Sequence, residues 1–198
     1  MKAAIEAFRE SASRVRHLGG LHGALSTLTT NAIDASDLLR AQLVLIVSAL
    51  DYFIHELTLL GLVDVLEGKR QPTDAFKKYK VSGGLLISKG GISTVDFVED
   101  IRDRHSYLSF QQPEKIADAI RLIFDKPLWR SVSAKLGLSE AVVKTRLRLI
   151  VDRRNKIAHE ADLDPSYPGS RWPIAPIDCN DAIEFIESVC EAIYLEVA

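Results

Sequence analysis

The amino-acid sequence predicts an all-α protein. Apolar residues recur at spacings of three and four along most of the chain, and no segment shows the convincing two-residue alternation of a half-buried strand. The length of 198 residues suits one domain with a single sizeable core. The composition, 47% hydrophobic and 26% charged, is ordinary for a folded globular chain. We therefore expect one helical domain over residues 1–198.

Two helices are predicted in the first third of the chain. The first is short and amphipathic, with an apolar face made by Ile5, Phe8, Ala12 and Val15. The glycines at 19–20 are expected to loosen the chain after it. The second helix begins at Asp34 or Ser36, either of which can cap its N-terminus, and ends at Leu60, with Gly61 as its stop.

The second helix is apolar nearly all round, which is typical of a central helix. It carries one narrow polar stripe, formed by Ser48, Asp51, His55 and Thr58. One interpretation pairs Asp51 with His55 at a solvent-facing edge, because the two lie four residues apart. The other makes Asp51 the partner of a cation on another helix. The sequence leaves both open.

Residues 67–112 are less regular, and we interpret them as an insertion or variable region. Two short helices are expected to flank a glycine loop with pairs at 83–84 and 90–91. The second pair, beside Lys89, lacks the spacing of a phosphate-binding P-loop. Pro113 then begins a helix. A further helix is expected to end at Gly137.

The next helix, capped by Ser139, carries the segment RRNKIAHE at 153–160. On a helical wheel Arg154 falls within about 60° of Ile150, inside an apolar stripe. An unpaired charge there costs several kcal/mol. It therefore needs an acid such as Asp51 or Glu56, or a cleft or subunit interface that a phosphate can enter.

His159 lies on the opposite side of this wheel from Ile150, about 180° away. It meets Arg154 only if the helix ends or bends between the two. Four prolines between residues 165 and 176 predict a helix end near His159. Asn155, four residues before His159, can orient the imidazole ring. The alternative is a surface histidine that interacts with the helix dipole.

Charge is concentrated around this histidine. The whole chain has a net charge of −2 and a pI near 6.2, so any contact with nucleic acid must be local. Residues 144–156, however, hold six basic residues against one acid. Such a run is either a solvated face or a track for RNA phosphates. In the second case the expected RNA-binding residues are Arg148, Arg153 and Lys156.

The remaining features limit the class of protein. Cys179 and Cys190 are expected to be free thiols that help packing in a last helix capped by Asp178, and no spacing resembles a metal site. The N-terminal segment mixes charge into every turn, unlike a signal peptide. The most apolar run has ten residues, too few for a membrane span. We expect a cytoplasmic protein without cofactor.

Several segments resemble the HEPN superfamily (higher eukaryotes and prokaryotes nucleotide-binding), and its RiboL-PSP branch in particular. Arg154 and His159 match the Arg, four to six residues, His motif of these domains. The segments RAQLVLIVSALDYFIHEL at 40–57, FQQPEKIADAI at 110–120 and DAIEFIESVCEAIYLEV at 181–197 follow in the order of that branch. The resemblance covers residues 36–198.

This resemblance implies a helical bundle with additional short helices and loops, which dimerises through the motif helices of two subunits. It also implies a metal-independent endoribonuclease in a composite cleft. Arg154 and His159 would be catalytic there, with Asn155 as the polar residue that follows the arginine and either Asp51 or Glu56 as the acid from the first core helix. The expected partners are RNA, a second copy of the chain, and an antitoxin or defence-system protein. The alternative is a non-catalytic dimerisation or RNA-binding scaffold.

Overall fold

The computed structural model describes residues 1–30, 33–87 and 91–198. Within these ranges the chain is all-α, as predicted, and its only β feature is an isolated bridge between Leu163 and Arg171. The helices are α1 (Lys2–Leu28), α2 (Ser36–Leu66), α3 (Gly83–Leu86), α4 (Thr94–His105), α5 (Pro113–Ile120), α6 (Leu128–Leu136), α7 (Glu140–His159) and α8 (Pro176–Val197), with a 3-10 turn at Phe76–Lys78.

Helix α2 is the centre of the bundle. It packs against α1, α4, α5, α7 and α8, and its largest fully buried side chains include Ile46, Leu50, Phe53 and Leu57. By length and composition alone α2 is apolar enough to cross a membrane. More than half of its most apolar window, 56%, is nevertheless buried within the protein. This burial is what the core helix of a globular bundle requires.

Helix α1 is longer than the sequence predicted, and the expected break at residues 19–20 is wrong. The helix continues through Gly19 to Leu28. A Cβ atom at Gly19 would lie 2.8 Å from the side-chain nitrogen of Gln42 on α2. That nitrogen donates a hydrogen bond to the carbonyl of Val15 across the same contact. The glycine therefore permits a close approach of two helices instead of ending one.

The predicted stop at Gly61 is wrong for the same reason. Helix α2 continues five residues further, to Leu66. A Cβ atom at Gly61 would lie 2.7 Å from Ile123 and 2.8 Å from Met1. The glycine is thus a packing position inside the helix, in close contact with Ile123 and Met1.

Replacing Gly61 with alanine is expected to lower the free energy of unfolding by about 1–3 kcal/mol, because the new methyl group overpacks this contact. The matched control is Gly20→Ala on α1, where an added Cβ meets nothing within 4 Å. That change should raise stability by roughly 0.5–1 kcal/mol through helix propensity. Urea denaturation of the two variants measures both effects, and equal stabilities would contradict the packing role of Gly61.

Some of the other predicted helix boundaries are confirmed, and one is wrong. Pro113 begins α5, α6 ends before Gly137, which has a φ of 65°, and the Ser139 hydroxyl caps α7 by accepting from the backbone of Val142. Asp178 does not cap α8, because the helix already begins at Pro176, whose fixed φ suits a first helical position.

In the 67–112 region the glycines at 83–84 lie inside the short α3, not in a loop. Lys89 and Gly90 lie outside the described residues. Both cysteines are free and buried, as expected of thiols that help packing.

Candidate active site

Arg154 lies on the buried side of α7, as the wheel predicted. It follows Leu147 and Val151, which are 0% and 1% exposed, along the side of the helix that packs against α2. Burial lowers the pKa of the Arg154 guanidinium, and the nearby Asp51 carboxylate opposes this shift. Within the described residues, its Nε atom is buried without a hydrogen-bond partner. The protein thus holds a desolvated cation whose donors are incompletely used.

Asp51 is close enough to act on Arg154 electrostatically, but it is bound elsewhere. One carboxylate oxygen accepts from the backbone N–H of Phe110 at 2.5 Å, and the other accepts from the Gln111 side chain at 2.8 Å. His55 Nε2 lies 3.7 Å from the first oxygen. Of the two interpretations that the sequence left open, the pairing of Asp51 with Arg154 is not among the ion pairs of the described residues. The local pair of Asp51 and His55 is present.

The basic run on α7 is largely neutralised by the protein itself. Ion pairs join Lys144 to Glu140, Arg146 to Asp181, Arg148 to Glu114 and Arg153 to Asp162. The Lys156 ammonium lies 5.2 Å from the centre of the Trp172 ring. In the part of the chain that the structure describes, Arg154 is therefore the cation of this run that has neither a carboxylate nor an aromatic partner.

Arg153 makes several contacts within the protein. Its guanidinium donates to Asp162 at 2.9 Å and to the carbonyl oxygens of Trp172 and Pro173. All three hydrogen bonds come from the Nη2 atom, and the RNA-binding role expected of Arg153 stays a prediction. The Arg148 side chain is 43% exposed and Lys156 is also exposed on α7. The RNA-binding role of both residues stays a prediction.

The contacts of Arg153 belong to a cluster that holds the chain immediately after the motif. Asp162 is 0% exposed and accepts from both Arg40, at 2.7 Å, and Arg153. Arg40 also donates to the Trp172 carbonyl. The backbone φ angles of Ala161 and Asp162 are 52° and 58°, values that residues other than glycine rarely adopt. Two arginines thus hold a strained turn three residues beyond His159.

His159 is the last residue of α7 and is exposed. The helix is assigned without interruption from Glu140 to His159, so the predicted helix end is confirmed. Five residues at about 100° each place the Arg154 and His159 side chains about 140° apart around the axis. Within one protomer the two motif residues therefore point to different sides of α7. Asn155 lies between them and is half-buried.

Two features of this site were outside the reach of the sequence pattern. The Arg40 and Asp162 pair joins residues 122 positions apart, and only the unusual position of a charge at the edge of the apolar run on α2 hinted at it. The backbone N–H of Phe110, which holds Asp51, has no side-chain signature at all. In the described ranges, no group of three or more histidine, cysteine, aspartate or glutamate residues is placed to hold a metal ion.

Comparison with protein families finds a match over most of the chain. The model of the family described as RiboL-PSP-HEPN matches residues 9–198. This range includes most of α1 and the whole of the 67–112 region, and so extends beyond the segments that carry the resemblance in the sequence. No curated protein and no solved structure matches the chain significantly.

Proposed function

The chain belongs to the RiboL-PSP-HEPN family, and on this basis we propose that it is a metal-independent endoribonuclease whose active site is completed by a second copy of the chain. Membership in the family supports an RNA-related function in general. The observation that carries the more specific proposal is Arg154, a desolvated guanidinium with a buried, unpartnered Nε in a basic run whose other members are occupied.

A buried guanidinium is costly unless a counter-charge meets it, and a phosphodiester can supply that charge. Arginine donates two hydrogen bonds in a fixed planar geometry that fits phosphate oxygens. Arg154 would bind the scissile phosphate and stabilise the charge that develops on it. Asp51 would limit the cost of keeping this cation in place while the site is empty.

His159 would transfer the proton. An exposed imidazole near neutral pH can remove the proton of a ribose 2′-OH or supply one to the departing 5′-oxygen. Because the nucleophile is part of the RNA, this scheme needs no metal. Asn155 would position the imidazole or the phosphate. The expected products carry a 2′,3′-cyclic phosphate and a 5′-hydroxyl.

The exposed face of α7 supports a dimer through the motif helices. It presents Leu149, which is 64% exposed, and Val142, which is 49% exposed, one heptad apart. His159 lies ten residues after Leu149 and therefore about 80° from it around the axis, at the edge of this face. Pairing α7 with its symmetry mate on this face would cover the two apolar residues and place the His159 of each protomer at the edge of the interface.

We expect the purified protein to cleave single-stranded RNA in the presence of EDTA. Cleavage should leave cyclic phosphate ends, should fall by about 10²–10⁴-fold in a His159→Ala variant, and should not occur on DNA, which lacks the 2′-OH. The assay uses a mixed pool of tRNA, mRNA and rRNA, with the end chemistry read on the products. His17→Ala, which removes an exposed histidine from α1, is the matched control.

Two outcomes would contradict the proposal. Cleavage that stops in EDTA would make the enzyme metal-dependent. A folded dimer that binds RNA without cleaving it would favour a non-catalytic scaffold. The cellular context that we propose is cytoplasmic, in a toxin–antitoxin or phage-defence system where a partner protein restrains the nuclease.

A further inference from the structure

A cleft opens between α2 and α4. Its volume is about 540 Å³, within the range of pockets that hold small molecules the size of a nucleotide. The cleft and the motif helix meet at Asp51, which lines the cleft and also acts on the charge of Arg154. The lining combines acidic, basic and aromatic side chains, among them Tyr52, His55, Glu56, Arg102 and His105.

His55 is placed in this cleft as a proton-transfer group would be. Its side chain is 23% exposed, and its Nε2 lies 3.7 Å from Asp51 Oδ1. The ring packs on Phe110, with the ring centres 4.4 Å apart. Asp51 in turn is fixed by the backbone N–H of Phe110. Phe110 therefore holds the imidazole through its ring and the carboxylate through its backbone.

His105, the second histidine of the cleft, cannot take this role. It is 5% exposed, and one ring nitrogen shares a hydrogen bond with the hydroxyl of Tyr79 at 3.1 Å. Burial, and then the neighbouring His55, lowers the pKa of His105 to about 4. It is neutral at physiological pH and forms part of the wall. His55 is the cleft histidine that has both a carboxylate beside it and access to solvent.

We propose that His55 is the general acid of RNA cleavage, acting from the same protomer as Arg154 while His159 of the partner subunit acts as the general base. This inference rests on the ribonuclease function proposed above. It follows from the arrangement of the two histidines, since His55 shares Asp51 with Arg154 whereas His159 points to another side of α7. The RNA segment that follows the scissile phosphate would occupy the cleft.

The step balances without an oxidant, a reductant or a metal. The base takes the proton from the 2′-OH, and the 2′-oxygen forms a bond to phosphorus. The bond from phosphorus to the 5′-oxygen breaks, its electron pair stays on that oxygen, and the His55 imidazolium supplies the proton. Asp51 keeps the ring oriented and offsets its charge, as an aspartate does beside a catalytic histidine. Exchange with water restores both histidines.

The test compares two substrates that differ in the leaving group. A ribodinucleotide has a poor leaving group, which needs a proton, whereas a nucleoside 3′-(4-nitrophenyl phosphate) has a good one, which does not. We expect His55→Ala to slow cleavage of the dinucleotide by about 10²–10⁴-fold and cleavage of the activated ester by less than about tenfold. His55→Gln, which retains a polar side chain of similar reach, should show the same split. His17→Ala is again the control.

The pH dependence of the reaction gives a second readout that a structural role would not change. Loss of the general acid should remove the alkaline limb of the profile on the dinucleotide and leave the acidic limb, which belongs to the base. Other titratable or charged groups near the cleft could also contribute to the pH profile. They are Asp51 and Glu56 on α2, Arg102 and His105 on α4, Arg154 on α7, and Tyr79.

The outcomes separate this proposal from the one on which it rests. If the wild-type protein cleaves neither substrate, both proposals are overturned. A second outcome is that the wild-type protein cleaves both substrates and Arg154→Ala cleaves neither, while a folded His55→Ala variant is unchanged or slower by the same factor on both. In that case the ribonuclease proposal stands and the acid role of His55 is wrong. A large loss on the dinucleotide alone supports His55 as the acid.

Discussion

Replacing Arg154 with methionine is expected to make the protein more stable and inactive at the same time. Stability should rise by about 1 kcal/mol, because the change removes a desolvated charge and leaves an apolar side chain of similar length beside Leu147 and Val151. For a chain of this size that corresponds to about 3 °C in Tm. Most substitutions destabilise a protein, so a gain at this partly buried position would mark Arg154 as a residue kept for function.

The activity of the same variant should fall by about 10²–10³-fold or more, because two hydrogen bonds to the phosphate are lost where charge develops. Arg154→Lys keeps the charge without the planar pair of donors and should retain a small residual rate. Thermal melting and the EDTA-resistant cleavage assay measure the two effects. Arg14→Met, at an exposed ion pair on α1, is the matched control and should change neither much. A destabilised but active Arg154→Met protein would show that the arginine is structural.

Periodicity was sufficient to find this residue. Arg154 breaks the regular apolar stripe of α7, and the side of a helix that faces the core follows from the 3.6-residue repeat alone. The exposed position of His159 and the end of the helix there follow from the same repeat and from the prolines beyond. Local patterns of this kind need no knowledge of which helices are neighbours.

The partners of these residues could not be found in the same way, since they depend on tertiary packing. Arg153 has the sequence context of an RNA-binding cation, yet it is bound to Asp162 in a turn that folds back onto α2. Gly61 has the sequence signature of a helix stop, yet it marks a close contact with Ile123. In both cases the contact is made by a distant segment that no local pattern identifies.

A mixed dimer of two inactive variants is expected to recover activity. Arg154 and His159 lie about 140° apart around an uninterrupted helix, so the two side chains leave one protomer in different directions. If each site takes Arg154 from one protomer and His159 from its partner, an Arg154→Ala protomer paired with a His159→Ala protomer retains one complete site of two. Dimers purified by a different tag on each variant should show about half of the wild-type rate.

The control for this rescue is a dimer of Arg154→Ala with the double variant Arg154→Ala/His159→Ala, which has no complete site and should stay inactive. The wild-type protein should sediment at about twice its chain mass of 22.0 kDa under the same conditions. Recovery requires only that the two residues come from different chains, so it does not depend on which histidine acts as acid or base. Inactive mixed dimers would mean that Arg154 and His159 act from the same protomer, and the proposed composite site would be wrong.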